Sequence, residues 1–205
     1  YQGLGSNLVS VGASYDYAAL GCTHHCPADI PTLNEIPGIE LIVPGHPDEF
    51  DNLFNQNYDN DKTSYFRLSE SKNNQSYNVE FGKNIILQEK GEVVIIAVGT
   101  TLKAVLEASS NLDVTIIYCT TIKPFDFSSI KKFLNKKILI VEPFYSGPIL
   151  TNIHRELSNL SGNFSMIGVP NNFINKYGNK DDIDKMIGLD SEAIKKRILR
   201  IINEK

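Results

Sequence analysis

"EVVIIAVGTTLKAVLEA", residues 92–108, decides the fold. Residues 93–98 form an unbroken apolar run, β-branched at every position but Ala97. Such a run is a strand buried on both faces, because a strand with one wet face would alternate. Gly99 then supplies a tight turn, and the apolar spacing that follows predicts a helix over 101–111. A strand, a short turn and a helix make the repeating unit of a parallel α/β sheet.

The same alternation continues downstream. "DVTIIYCT" (113–120), "KKILIVEP" (136–143) and "NFSMIGV" (163–169) read as strands. "DFSSIKKFLN" (126–135, capped by Asp126) and "GPILTNIHRELSNL" (147–160) read as helices, and the amphipathic run 190–204 closes the chain, capped by Asp190 or Ser191. Four strand-like runs separated by helices predict a doubly wound open sheet.

Upstream, "SNLVSVGA" (6–13), "IELIVPG" (39–45) and "TSYFRLSE" (63–70) are strands. Between them lie a loop over 14–27, a short helix in "ADIPTLNEIPG" (28–38) interrupted by Pro31, and a helix in "HPDEFDNLFNQNY" (46–58) with an acidic first turn. This is a second, partial parallel α/β layer. The polar, Asn-rich stretch around 73–82 is the linker, dividing the chain into units 1–72 and 83–205. The chain opens on Tyr1, close to a strand and without Met, which predicts a piece of a longer protein.

The 205 residues carry a net charge of −4 with Lys and Arg scattered, so the basic stripe of a nucleic-acid binder is missing. The apolar runs are too short for a membrane span. Three cysteines argue against a disulfide framework and fit a reducing cytoplasm.

Reactive side chains concentrate in "GCTHHCPADI", 21–30. A zinc site would draw ligands from two separated pairs, whereas Cys22, His24, His25 and Cys26 fall within five residues, so no metal site is assigned. A Cys–His nucleophile pair needs a group to orient the base and an oxyanion hole, and neither has a local signature. Cys22 and Cys26 read as small buried apolar residues. Gly99 lacks the G-x-G-x-x-G context of a dinucleotide turn, and "GNKDDIDK" (178–185) lacks the ligand spacing of a calcium loop.

Taken in order, "G-C-T-H-H-x3-D-I", "IPGIELIVPGHPDEF" and "SYFRLSE" resemble the second half of the pyrimidine-binding domain of transketolases. "GEVVIIAVGTTLKAVLEA", "IKPFD", "ILIVEP" and "GLDSEAIKKRI" are similar to the C-terminal domain of the same family. The resemblance implies a thiamine diphosphate enzyme with Mg²⁺, transferring a two-carbon ketol unit between sugars or sugar phosphates. It implies that His24 is catalytic, bonding a donor carbonyl or hydroxyl oxygen, and it makes His25 and Arg67 candidate substrate contacts. Three positions depart from the family pattern. Leu20 stands where relatives carry a sugar-binding Asp, Cys22 where they carry Pro, and Glu70 where "L-S-R" supplies a phosphate-gripping Arg.

The family's activating glutamate and its diphosphate motif would lie upstream of this segment. The expectation is therefore a segment that binds no cofactor by itself and is inert alone, working as a homodimer or with an N-terminal diphosphate-binding subunit or domain. A β subunit of a 2-oxoacid dehydrogenase and a 1-deoxyxylulose-5-phosphate synthase-like enzyme remain alternatives. So does a non-catalytic dimerisation or regulatory fragment.

Overall fold

The computed structural model describes residues 2–157 and 162–204. Its first layer runs β1 (Ser6–Ser10), α1 (Asp29–Asn34), β2 (Ile39–Ile42), α2 (Pro47–Asn57) and β3 (Thr63–Arg67). The second layer has β4 (Ile85–Gln88), β5 (Val93–Val98), α3 (Leu102–Ser109), β6 (Thr115–Cys119), β7 (Thr121–Lys123), α4 (Phe127–Ile130), β8 (Lys137–Tyr145), α5 (Pro148–Glu156) and β9 (Asn163–Val169). Two helices close it, α6 (Lys180–Ile187) and α7 (Ser191–Asn203). The end of the expected helix 147–160 lies outside the described residues. No helix of the described residues is long and apolar enough to cross a membrane.

The chain is mixed α/β with two sheets, ordered β1-β3-β2-β7 and β4-β6-β5-β8-β9. The strands β1, β3 and β2 are parallel, as are β6, β5, β8 and β9. Along β5, Val93, Ile95 and Ala97 enter one core, while Val94, Ile96 and Val98 enter the other. Both faces are covered, which is why this strand reads as a continuous apolar run. Gly99 turns the chain with φ +54°, and a Cβ there would meet Val43 Cγ1 at 2.7 Å and Val43 O at 2.9 Å. Only glycine combines that left-handed backbone with so close an approach.

Two strands were not legible in the sequence. β4 adds an antiparallel edge to the second sheet, and β7 leaves the second layer to pair antiparallel with β2. Both are too short for a periodic signal, and long-range pairing alone defines them. Through β7, Lys123 Nζ donates to Asn34 O at 3.0 Å and Ile36 O at 2.6 Å, closing the end of α1. Pro31 does not interrupt α1: it sits in the first turn, where a missing N–H is tolerated. Asp190 caps α7, its Oδ1 accepting from Glu192 N and Ala193 N.

The connection 73–82 has neither helix nor strand, yet Asn73 and Val79 are buried. Asn73 donates to Gly99 O and Tyr118 Oη, both at 3.2 Å, and accepts from Lys103 N at 3.1 Å. Its polar composition marks a connection but hides how tightly that connection is packed.

Glu142, in β8, is fully buried and accepts from Gly147 N (2.7 Å) and Ile149 N (3.0 Å) at the start of α5. Burial pushes its carboxyl up to about 7 against those two bonds. The unfolded chain ionises near 4.5, so between there and 7 the folded state holds the extra proton. Stability from this group is therefore complete below pH 4.5 and falls by about 3 kcal/mol as pH rises through 7. Urea unfolding of wild type and Glu142→Gln across pH 4.5–8 reads this directly. The amide should flatten the slope, and it should lower stability at acid pH because its NH₂ faces an N–H donor. An unchanged slope in the variant would rule Glu142 out as its source.

Candidate functional site

The loop between β1 and α1 is built as a closed excursion. Cys26 N donates to Ser14 O at 2.9 Å, pinning the two ends together. Two 3₁₀ turns, Ala18–Leu20 and Cys22–His24, fill the span, separated by Gly21. Gly21 holds φ +79°, and a Cβ there would lie 2.6 Å from Tyr177 Cε1. Ser14 itself holds φ +51°, an uncommon conformation for a residue with a side chain.

His24 is exposed at the end of the second turn, with Thr23 Oγ1 3.0 Å from its Nδ1. That contact occupies one ring nitrogen and leaves Nε2 without a partner among the described residues. His25 is half-buried, edge-on to Tyr15 at 4.8 Å between ring centroids. Burial, and then the neighbouring His24, lower its pKa and favour the neutral ring. Its Nε2 is buried without a hydrogen-bond partner. Cys22 and Cys26 are exposed, not buried as the sequence suggested: Cys22 lies in the surface 3₁₀ turn and Cys26 just beyond it.

Arg67 lies beneath the loop. Its Nε donates to Asp29 Oδ2 at 2.7 Å, and its Nη2 donates to Ser14 Oγ (2.7 Å) and Cys26 O (3.3 Å). Tyr65 Oη also donates to Asp29 Oδ2, at 3.0 Å, and the guanidinium lies 5.5 Å from the Phe144 ring centre. Arg67 and Asp29 are both nearly fully buried. One guanidinium thus clamps the loop where it leaves β1 and where it enters α1. Spacing alone placed Arg67 beside Tyr65 on one strand face but gave no sign that Asp29 and Ser14 would meet it.

At the other end, Asp16 accepts from Ser69 Oγ and Glu70 N, each at 2.9 Å, tying the loop to the end of β3. Glu70 and Leu20 are both exposed. Among the described residues no group of three His, Cys, Asp or Glu side chains is arranged to hold a metal ion.

A parallel α/β sheet carrying a clamped histidine loop beside a second, doubly wound sheet defines an open-sheet α/β protein with its reactive groups on a strand-to-helix loop. Residues 82–194 match the family model described as "Transketolase, C-terminal domain". The chain belongs to the transketolase family. It is 33% identical over 202 residues to an uncharacterised 33.6 kDa protein of the fasciation locus of Rhodococcoides fascians, covering 96% of this chain and 65% of that protein. To 1-deoxy-D-xylulose-5-phosphate synthase of Thermotoga maritima it is 30% identical over 196 residues, 89% of this chain and 32% of the enzyme. The chain therefore spans less than two thirds of the first relative and about a third of the second. A split-gene transketolase solved as an inactive β4 tetramer superposes with a TM-score of 0.79 at 15% identity, over 96% of this chain and 66% of that one.

Proposed function

We propose that this chain is the carboxyl-terminal portion of a cytoplasmic, thiamine diphosphate-dependent, transketolase-like enzyme that passes a two-carbon ketol unit between sugars. The carrying observation is His24, an exposed imidazole on a loop clamped at both ends, in a chain of the transketolase family. In this reading residues 1–72 are the second half of a pyrimidine-binding domain and 83–205 the C-terminal domain, joined through 73–82.

Thiamine diphosphate, when bound, supplies the electron sink for breaking a carbon–carbon bond. The residues of this chain fit the substrate side of such a cofactor. With Nδ1 engaged by Thr23, His24 presents Nε2 to a donor carbonyl or hydroxyl oxygen, where an imidazole near neutrality both donates and returns a proton. His25 is the second substrate-side candidate, and Arg67 acts by positioning the loop. Among the described residues no group of side chains is arranged to hold Mg²⁺, and the Mg²⁺ and diphosphate end is assigned to an upstream domain or an N-terminal partner subunit.

The open edge of the first sheet supports an incomplete unit. β1 pairs only with β3 among the described residues, and Leu4, Leu8, Val9 and Val11 are exposed around it. An added strand and its covering helices would bury these residues. A homodimer, or a pairing with a separate subunit, would complete the site; this segment alone is inactive.

The test uses the complete enzyme with thiamine diphosphate and Mg²⁺, assayed for ketol transfer from free and phosphorylated ketoses. His24→Ala should cut turnover by about 10²-fold with the melting temperature retained. Free ketoses should serve at least as well as their phosphates, since exposed Glu70 repels phosphate where an Arg would grip it. Failure of the complete enzyme to transfer a ketol unit from any ketose would overturn the reading. Unchanged turnover in His24→Ala would reduce that residue to loop packing.

A further inference from the structure

The histidine loop is braced unevenly. Arg67 holds its two ends, at Ser14 and Cys26, and Asp16 ties its start to the end of β3. Among the described residues, 18–25 make no hydrogen bond outside the loop. The stretch that presents His24 therefore rests on its own turns and on packing.

Gly21 is the hinge of that stretch. Its N–H donates to Ala18 O at 3.2 Å, closing the first 3₁₀ turn, and its O accepts from His24 N at 3.0 Å, closing the second. A Cβ on Gly21 would meet Tyr177 Cε1 at 2.6 Å, Cζ at 3.0 Å and Cδ1 at 3.3 Å, its three nearest neighbours. One side of that ring thus lies against the glycine backbone. The contact crosses between the two layers, since Tyr177 belongs to the connection from β9 to α6.

That connection is fixed on both sides of Tyr177. Ile174, 7% exposed, sits in the same core as Tyr15 and Ala18 of the loop. Two residues beyond Tyr177, Asn179 caps α6, its Oδ1 accepting from Asp182 N at 2.9 Å. The ring is thereby aimed at the hinge. Yet Tyr177 is 78% exposed, so burial stabilises it little and a place in the core does not account for it.

We propose that Tyr177 is a positioning residue of the His24 site: its ring seats Gly21, and Gly21 O, through His24 N, sets where the imidazole lies. The second layer thereby governs the reactive loop of the first. The ring rather than the hydroxyl carries the contact, because Cε1 is the atom nearest the hinge. A reacting group displaced by about 1 Å costs up to about 10²-fold in rate, so a loosened hinge is felt in turnover. That catalytic consequence rests on the ketol-transfer reading; the bracing of the loop does not.

The test is amide hydrogen exchange, followed by mass spectrometry on the full-length protein, beside ketol-transfer kinetics of the complete enzyme with thiamine diphosphate and Mg²⁺. Tyr177→Ala should speed exchange over 18–25 about tenfold, with β5 unchanged and the melting temperature retained. In the same variant kcat should fall about tenfold while the donor KM stays within about twofold, since the substrate contacts themselves are kept. Tyr177→Phe keeps the ring and should match wild type in both measurements. Gly21→Ala should loosen the same stretch, and adding Tyr177→Ala to it should cost less than the two effects summed. Unchanged exchange in Tyr177→Ala would overturn the proposal, as would faster exchange with full turnover. Tyr177→Phe as damaging as alanine would overturn it too, by moving the effect to the hydroxyl. A complete enzyme without ketol transfer, but with the exchange result intact, would sink the ketol-transfer reading while upholding the brace.

Discussion

Replacing Glu49 by alanine is expected to cost the fold about 4 kcal/mol or more, a large effect for one residue in a helix's first turn. Glu49 is 1% exposed and accepts three hydrogen bonds: Gly45 N at 2.9 Å, Tyr118 Oη at 2.6 Å and Tyr77 N at 3.0 Å. These donors come from the end of β2, from the second sheet and from the connection between the two layers. Burial and the adjacent carboxylate push the Tyr118 phenol up, keeping it a donor. Alanine would strand three buried donors at once, each worth about 1–3 kcal/mol when unsatisfied. Tyr118→Phe removes one bond only and should cost clearly less. Urea unfolding of both variants decides the matter. A Glu49→Ala loss under about 1 kcal/mol would mean that water replaces the carboxylate.

Asp29→Ala is expected to cost about 3–5 kcal/mol, because it leaves Arg67 buried without its counter-charge. The damage should be focused on the loop over 14–27, since Arg67 carries the contacts to Ser14 and Cys26. Faster limited proteolysis within that loop, measured beside global unfolding, would read the local part. An apolar replacement of both partners, Asp29→Leu with Arg67→Met, should recover part of the global stability, as no lone charge remains. It should not recover the loop's protection, because no donor then reaches Ser14 Oγ or Cys26 O. A double variant as unstable as Asp29→Ala would mean that the shape of the site, rather than the uncompensated charge, sets the cost.

The elements that carried periodicity were readable in advance. β5, β6, β8 and β9 announced themselves as apolar runs, and the helical caps at Asp126 and Asp190 were visible from residue type and position. The loop holding His24 stood out by composition. What that loop does could not be read from composition, because its cysteines turned out to be surface residues and its anchor, Arg67, lies 41 positions beyond Cys26. The burial of Tyr15 was equally hidden: it looked like one aromatic in a loop, yet it is 1% exposed and shares a core with Ile183 of α6.

The alternation of strands and helices, hence a doubly wound sheet, and the place of the histidine loop within that order were readable from residue order alone. Those features follow from local periodicity and turn chemistry, which a short window of residues already contains. That β7 crosses to the first sheet, that Glu49 and Asn73 lock the two layers together, and that Arg67 is paired with Asp29 emerge only in the folded chain. Each of these depends on side chains distant in sequence being buried in the same place, where an unpaired polar group costs too much to leave unmatched. That pairing cost is a property of the folded interior, and no local pattern in the chain encodes it.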